Sequence, residues 1–322
     1  DLEVYDLAPD YGELFRDKTR GSKEVIFSVA HSSDLELDEN GKPTTQAIGS
    51  FIARSAGGTH NAQPSWELLA VYEMTNGKTI DEPGSGFDPH DPFANRDPRC
   101  LETFAAPGSR IYGIEWNPAP NALEVMDYTQ NRMITNKDSK GGSDASNCAY
   151  NGCCLRKGAQ ESWRTTLYND NPVILMRYAD VLLMYAEACL EKGDIVGARK
   201  YLNQVRKRAR ESSPLDAKRV IQKYVPDTKP TSLPDITSDN VAEVRLAIWN
   251  ERRFEFACEG IRRMDLMQQE RYGEIMTAVY SNGYATEDVD KGRYYTKERE
   301  LFPIPQNDID LSRGALVQNP GY

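Results

Sequence analysis

Three carboxylates stand at steps of four residues in the last third of the chain: Glu251, Glu255 and Glu259. In a helix this spacing puts all three on one face. Glycoside hydrolysis needs two carboxylates that face each other across a sugar, and side chains stacked along one helix do not. Like charges at this spacing repel, so cations must compensate for them. The cations close in sequence are Arg252, Arg262 and Arg263. We therefore predict a structural lattice of ion pairs that locks helices together.

Nucleophilic catalysis has little support in the sequence. The chain has three histidines, His31, His60 and His90, and all fall in predicted loops. It contains neither a Gly-x-Ser-x-Gly elbow nor a glycine-rich phosphate loop. A hydrolase is kept as an alternative, but the reading favoured by the residues is a protein that is not an enzyme.

Aromatic side chains in irregular segments are the stronger indication of a binding site. Residues 100–170 are rich in turns and aromatic residues, and a long loop region in a compact protein is usually functional. Pyranose rings pack on Trp and Tyr faces, while neutral amides bond to their hydroxyls. The candidate ligand-binding residues are Trp116, Tyr112, Tyr128, Tyr150, Asn117 and Trp66. The alternative is that these rings only pack loops onto the scaffold, above all Trp66, which falls within a predicted helix.

Metal binding is considered at two places and predicted at neither. The loop from Asp81 to Arg99 carries five acidic residues, which suits calcium, but their spacing fits no EF-hand. The simpler expectation is a solvated loop held by Arg96 and Arg99. Cys148, Cys153 and Cys154 cluster in one loop, where a local disulfide is conceivable in an oxidising setting, and the lack of paired Cys-x-x-Cys motifs argues against a metal. No cofactor is predicted.

Composition limits the possible partners. The chain has 322 residues, a formal net charge of -10 and a pI near 5.0, and no basic tract long enough to follow phosphates. We expect no nucleic-acid binding. No run of eighteen apolar residues occurs, so no segment is predicted to span a membrane. A chain of this length can form one large domain or two.

Two helices folded against each other are predicted between residues 171 and 210. Pro172 suits a helix start, and apolar residues recur at steps of three and four from Val173 to Lys192. Arg177 and Asp180 are expected to pair at i, i+3. A Gly193-Asp194 turn leads into a second amphipathic helix, and the whole is close to one tetratricopeptide unit. The predicted fold class is mostly α: a tetratricopeptide-like helical scaffold with long irregular loops and minor β structure.

Further elements are predicted on either side of this helix pair. Residues 24–29 read as a strand, residues 65–74 as a helix, and residues 239–260 as a strong helix capped by Ser238 or Asp239 and ended by Gly260. Residues 1–170 are interpreted as a loop-rich, ligand-facing region and residues 171–322 as a helical region, although one continuous domain is also possible.

Four segments, in order, resemble the SusD/RagB family. The helix-pair sequence PVILMRYADVLLMYAEACLEKGD is similar to a segment that the family shares. The other three are NRDPR at 95–99; ERRFEF at 251–256 with EGIRR and DL at 259–266; and FPIP at 302–305 with the terminal QNPGY. One such segment would be weak evidence, but four in order across most of the chain are specific.

The resemblance implies an outward-facing lipoprotein of the outer membrane that binds nutrients. Its partners would be a glycan ligand and a SusC-like TonB-dependent transporter, with membrane contact only through an N-terminal lipid anchor outside this chain. A substantial N-terminal helical part is expected to be missing. Ligand-contacting aromatics would lie upstream of the Arg177–Asp180 segment, where Trp116 stands. The expected function is glycan capture without turnover; the alternatives are peptide capture for a similar importer and a helical-repeat module that binds proteins.

Overall fold

The computed structural model describes residues 4–16, 19–31, 46–141, 151–169, 171–212, 232–282 and 296–322. They form two compact units, Asp1–Glu259 and Gly260–Tyr322. Tyr150 and Cys148 lie outside the described residues. The sequence was divided near residue 170 into a ligand-facing region and a helical region. That functional division stays a prediction.

The described part of the chain is mostly α-helical, with small antiparallel sheets. Its helices are α1 (Tyr11–Leu14), α2 (Trp66–Val71), α3 (Pro98–Thr103), α4 (Trp163–Thr166), α5 (Tyr178–Glu191), α6 (Ile195–Glu211), α7 (Val241–Glu255), α8 (Arg262–Gln268), α9 (Tyr272–Asn282) and α10 (Gln306–Leu311). Its strands are β1 (Val25–Val29), β2 (Gln46–Ala47), β3 (Arg110–Ile111), β4 (Ile114–Glu115), β5 (Glu124–Asp127), β6 (Arg132–Thr135), β7 (Tyr168–Asn169) and β8 (Val173–Arg177).

The predicted helix pair is present as α5 and α6, which pack on each other and on α7. Gly193 turns the chain with φ 81°, a left-handed conformation that suits glycine. The Asp194 carboxylate then accepts a hydrogen bond from the Gly197 amide at 2.8 Å, which caps α6. The buried face of α6 includes Ala198 and Leu202, so the three-four periodicity correctly identified the packed side.

The start of this hairpin was predicted wrongly. Residues Val173–Arg177 form strand β8 rather than helix, and they pair antiparallel with β1, whose prediction is confirmed. Periodicity cannot separate a short apolar run of this kind from a helix, and pairing with a strand almost 150 residues away decides the outcome. Helix α5 therefore begins at Tyr178.

Two smaller boundaries also differ from the prediction. Helix α7 ends at Glu255, and its cap is Asn240, whose side chain accepts from the Ala242 amide at 2.9 Å. Helix α2 ends at Val71 and is capped by Ser65. Gly260 has φ 87° and lies past a turn that follows α7, so it does not itself end the helix.

A four-stranded meander in the order β3-β4-β5-β6 contributes to the first of two buried apolar clusters. Tyr112 and Gly113 form the tight β3–β4 turn with φ values of 51° and 75°, which a two-residue hairpin loop of this type requires. The second cluster joins α2, α3 and α7 through residues such as Tyr72, Phe104 and Phe254. Between them, these clusters position the loops that line the candidate site.

Candidate functional site

A buried network of charges, here called the central ion cluster, joins the predicted motifs. Its members are Glu24, Arg99, Lys157, Arg177, Arg208, Glu251, Glu255 and Glu259. Arg177 is its hub: its Nη1 lies 2.7 Å from Glu24 Oε1 and 2.5 Å from Glu255 Oε1, and its Nη2 lies 2.8 Å from Glu259 Oε1. The predicted lattice of ion pairs is therefore confirmed.

The cations of this cluster are not the predicted ones. Glu251 and Glu255 are bound by Arg99, at 2.7 and 3.0 Å, rather than by cations nearby in sequence. Asp180 pairs with Arg252 at 2.7 Å, so the expected Arg177–Asp180 pair is absent from the described contacts. Glu259 lies beyond the end of α7, which places it off the helix face that it was expected to share.

Electrostatics keep the carboxylates of the cluster ionised. Burial alone would raise the pKa of Glu255, but Arg208, Arg177 and Arg99 together hold that pKa well below its usual value. The pKa of Glu259 is also lowered, because Arg177 and Lys157 outweigh the effect of burial. Both carboxylates are therefore fixed anions rather than groups poised for proton transfer.

Beside this cluster lies a cavity of about 230 Å³ in the first unit, here called the aromatic cavity. It is lined by Phe15, Thr19, Ile48, Phe51, Tyr112, Leu155, Lys157, Gly158, Trp163, Asn169, Asn171, Pro172, Val173, Ile174, Cys258 and Glu259. These residues come from several distant segments of the chain. The β1–β8 ladder, the β2–β7 pair and the central ion cluster bring the segments together.

Aromatic rings form much of the cavity wall. Tyr112 and Trp163 stack with ring centroids 6.4 Å apart and planes 27° apart. Both are buried, whereas Phe51 is 38% exposed. The cavity thus combines a buried pair of rings with an accessible one, which suits the flat apolar patches of a pyranose ring.

Neutral polar groups accompany these rings. The Asn169 side-chain oxygen accepts a hydrogen bond from the backbone N–H of Asn171 at 2.9 Å. The side-chain Nδ2 of Asn171 donates to the Phe15 carbonyl at 3.2 Å. These bonds orient both side chains and leave Asn169 Nδ2 and Asn171 Oδ1 without a bond to the described residues. The indole Nε1 of Trp163 is likewise buried without a hydrogen-bond partner in that part of the chain. A buried donor of this kind normally has one.

Two predicted site residues are in the core. Trp116 is fully buried, and His60 packs edge-on against it at 5.3 Å between ring centroids. Tyr112 is 2% exposed and donates a hydrogen bond to the Leu155 carbonyl at 3.3 Å. Contact of either ring with a ligand stays a prediction. Tyr112 lines the aromatic cavity, whereas Trp116 does not.

Tyr128, Asn117 and Trp66, the other predicted site residues that the structure describes, do not line the aromatic cavity. Tyr128 is 39% exposed and lies under Arg110, whose guanidinium carbon is 5.1 Å from the ring centroid. Asn117 is half-buried and its side chain accepts from the Ala119 amide at 3.2 Å. Trp66 is half-buried against the second apolar cluster. Their contacts with a ligand stay predictions, and Tyr150 cannot be placed.

The acidic loop from Asp81 to Arg99 is held as expected by its arginines. Arg96 is buried and donates to the carbonyls of Tyr72 and Pro92 at 2.8 and 3.0 Å. Arg99 binds Asp97 at 2.7 Å. Within the residues that the structure describes, no group of three or more His, Cys, Asp or Glu side chains could hold a metal ion.

A second cavity, of about 540 Å³, is lined by residues from the segment 6–23. Its described lining contains no aromatic ring, so it offers no platform for a sugar. The aromatic cavity is the better candidate for a binding site.

Of the sixteen lining residues, sequence reasoning selected Tyr112 and missed, among others, Phe51, Trp163, Asn169 and Asn171. Trp163 fell within the aromatic-rich region that the sequence singled out, but it carried no distinguishing motif. The Asn169-Asp-Asn171 segment, shortly before β8, was a local signal that could have indicated polar groups here.

Comparison with known proteins agrees with this fold, a helical scaffold with small antiparallel sheets. A model of the SusD family matches residues 23–322. The chain belongs to the SusD family.

Three relatives illustrate the similarity. SusD-like protein P2 of Formosa agariphila is 24% identical over 98% of this chain and 52% of its own. A SusD-like carbohydrate-binding protein of Bacteroides fragilis superposes with a TM-score of 0.64 at 24% identity, over 85% of this chain and 47% of its own. Surface glycan-binding protein A of Bacteroides thetaiotaomicron, in complex with laminarihexaose, has a TM-score of 0.51 at 22% identity, over 98% of this chain and 56% of its own.

The chain spans about half the length of these relatives. Among the described residues, no helix is both long and apolar enough to cross a membrane.

Proposed function

We propose that this chain is part of a cell-surface protein that binds a glycan without cleaving it. The observation that carries the proposal is the aromatic cavity, where Phe51, Tyr112 and Trp163 supply rings while Asn169 and Asn171 supply neutral amides. Aromatic faces with planar amides are suited to pyranose rings and their hydroxyls. Relatives whose names or complexes include carbohydrate support the same choice.

The carboxylates near the cavity support binding rather than turnover. A glycosidase needs one carboxylic acid and one carboxylate on opposite sides of the scissile bond. Glu259 is the acidic residue in the described lining, and both its oxygens accept hydrogen bonds from Arg177. Its lowered pKa makes it a poor proton donor at neutral pH.

Delivery to an importer completes the proposal. Family membership supports an outward-facing position at the outer membrane, lipid anchorage of the whole protein, and transfer of the glycan to a SusC-like TonB-dependent transporter. Co-purification of the whole protein with such a transporter from detergent-solubilised outer membranes tests this part. Recovery in the soluble fraction, without a transporter, would contradict it.

Binding itself is tested by affinity electrophoresis of the purified chain in gels that contain single polysaccharides, with a parallel peptide panel followed by calorimetry. We expect retardation by at least one glycan and no new reducing ends on chromatography after overnight incubation. Binding confined to peptides would replace glycan capture with peptide capture, and shortened chains would mean that the protein is a hydrolase.

A further inference from the structure

The single cation in the described lining of the aromatic cavity is already saturated. Lys157 Nζ has four acceptors: Tyr11 Oη at 2.7 Å, the carbonyls of Glu255 at 3.3 Å and Ala257 at 2.9 Å, and Glu259 Oε1 at 2.6 Å. An ammonium group has three N–H donors. Lys157 therefore has no hydrogen left for an anionic ligand.

The matching anion is also fully occupied. Glu259 Oε1 accepts from Lys157 and from Arg177 Nη2, and Glu259 Oε2 accepts from Arg177 Nε at 2.9 Å. Its side chain is 12% exposed. The charge of Glu259 is thus balanced inside the protein by Lys157 and Arg177.

The groups that remain free for a ligand are uncharged. They are Asn169 Nδ2 and Asn171 Oδ1, in the same cavity lining as the ring of Phe51. One is a donor and the other an acceptor, a pair that complements sugar hydroxyls, which both donate and accept. The cavity is smaller than the roughly 300 Å³ at which typical ligand pockets begin, so it suits one sugar ring.

We propose that the aromatic cavity selects an uncharged sugar unit and rejects glycans that place a carboxylate or a sulfate ester there. This inference rests on the proposed glycan-binding function and specifies its ligand class. An anionic sugar would lose water without gaining a free cation from the described lining, and burial of an unpaired charge is costly. It would also approach a chain whose formal net charge is -10.

The test uses matched ligands that differ only in charge. Oligogalacturonate and its carboxyl-reduced form share length and linkage, because reduction converts each carboxylate into a hydroxymethyl group. Calorimetry on the purified chain measures both, beside neutral laminarihexaose, cellohexaose and mannohexaose. The Phe51→Ala variant reports whether the discrimination arises at the cavity, and Tyr5→Ala, at a similarly exposed ring outside the described lining, is the control.

We expect the reduced form to bind at least about tenfold more tightly than the acid. We also expect the affinity for neutral ligands to change less than about twofold between about 20 and about 500 mM NaCl. Phe51→Ala should weaken neutral binding and Tyr5→Ala should not.

Three results would overturn the inference. Equal or tighter binding of the acid contradicts charge selection but leaves glycan binding intact. Discrimination that persists in Phe51→Ala at unchanged affinity places the selection outside the cavity. Absence of binding to every glycan contradicts the proposed function itself, and the inference falls with it.

Discussion

Arg177 Nη1 lies 2.5 Å from Glu255 Oε1, and both side chains are buried. Arg177 is the last residue of β8, and Glu255 is the last residue of α7. Their contact therefore joins the junction between β8 and α5 to the end of α7. Glu259, which lines the aromatic cavity, is bound by the same guanidinium. The ion cluster therefore links the helical scaffold to the candidate site.

Replacement of Arg177 by Met is expected to destabilise the fold by about 3–5 kcal/mol, because several buried carboxylates lose their common cation. Urea unfolding followed by circular dichroism measures this change. The matched control is Lys207→Met, since Lys207 is 60% exposed and pairs with Glu211 at 3.8 Å; it should cost less than about 1 kcal/mol. Similar losses in the two variants would contradict a special role for the buried cluster.

Local periodicity was sufficient to predict α5 and α6, because their packed faces follow from residues within one segment. It failed at Val173–Arg177, where pairing with Val25–Val29 determines the structure. It gave no information on Trp116, whose burial depends on contacts with distant residues such as His60. The aromatic cavity was missed for the same reason, since its walls come from segments as far apart as Phe15 and Glu259.

Acid should unfold the protein through the central ion cluster. The pKa values of Glu255 and Glu259 lie below their usual value of 4.5, so the unfolded chain binds more protons than the folded one in acid. Their stabilisation is complete above about pH 5 and is lost as pH falls below about 4.5. Unfolding free energies measured from about pH 7 down to about pH 3 should show this loss.

Glu259→Gln removes one of these carboxylates. It should therefore reduce the loss of unfolding free energy between about pH 7 and about pH 3 by about 1–2 kcal/mol. Glu211→Gln, at a side chain that is 59% exposed, is the control and should keep the wild-type slope. An unchanged slope in Glu259→Gln would mean that the pKa of Glu259 is not lowered in the folded protein.

Trp116 is expected to act as a core residue. Truncation to Ala should cost about 3–5 kcal/mol of stability, as for other fully buried large side chains. Thermal and urea unfolding test this, with Tyr128→Ala as an exposed aromatic control that should cost less than about 1 kcal/mol. A Trp116→Ala variant with wild-type stability and weaker glycan binding would restore Trp116 as a ligand platform.

Capture without cleavage at the aromatic cavity is tested most directly by one calorimetric comparison. Wild type, Phe51→Ala and Tyr5→Ala are titrated with an oligosaccharide that the electrophoretic screen has identified, and the sugar is then recovered for chromatography. We expect wild type and Tyr5→Ala to bind alike, Phe51→Ala to bind at least about tenfold more weakly through loss of ring contact, and the sugar to return intact. Unchanged affinity in folded Phe51→Ala, or shortened sugar after incubation with wild type, would contradict this account.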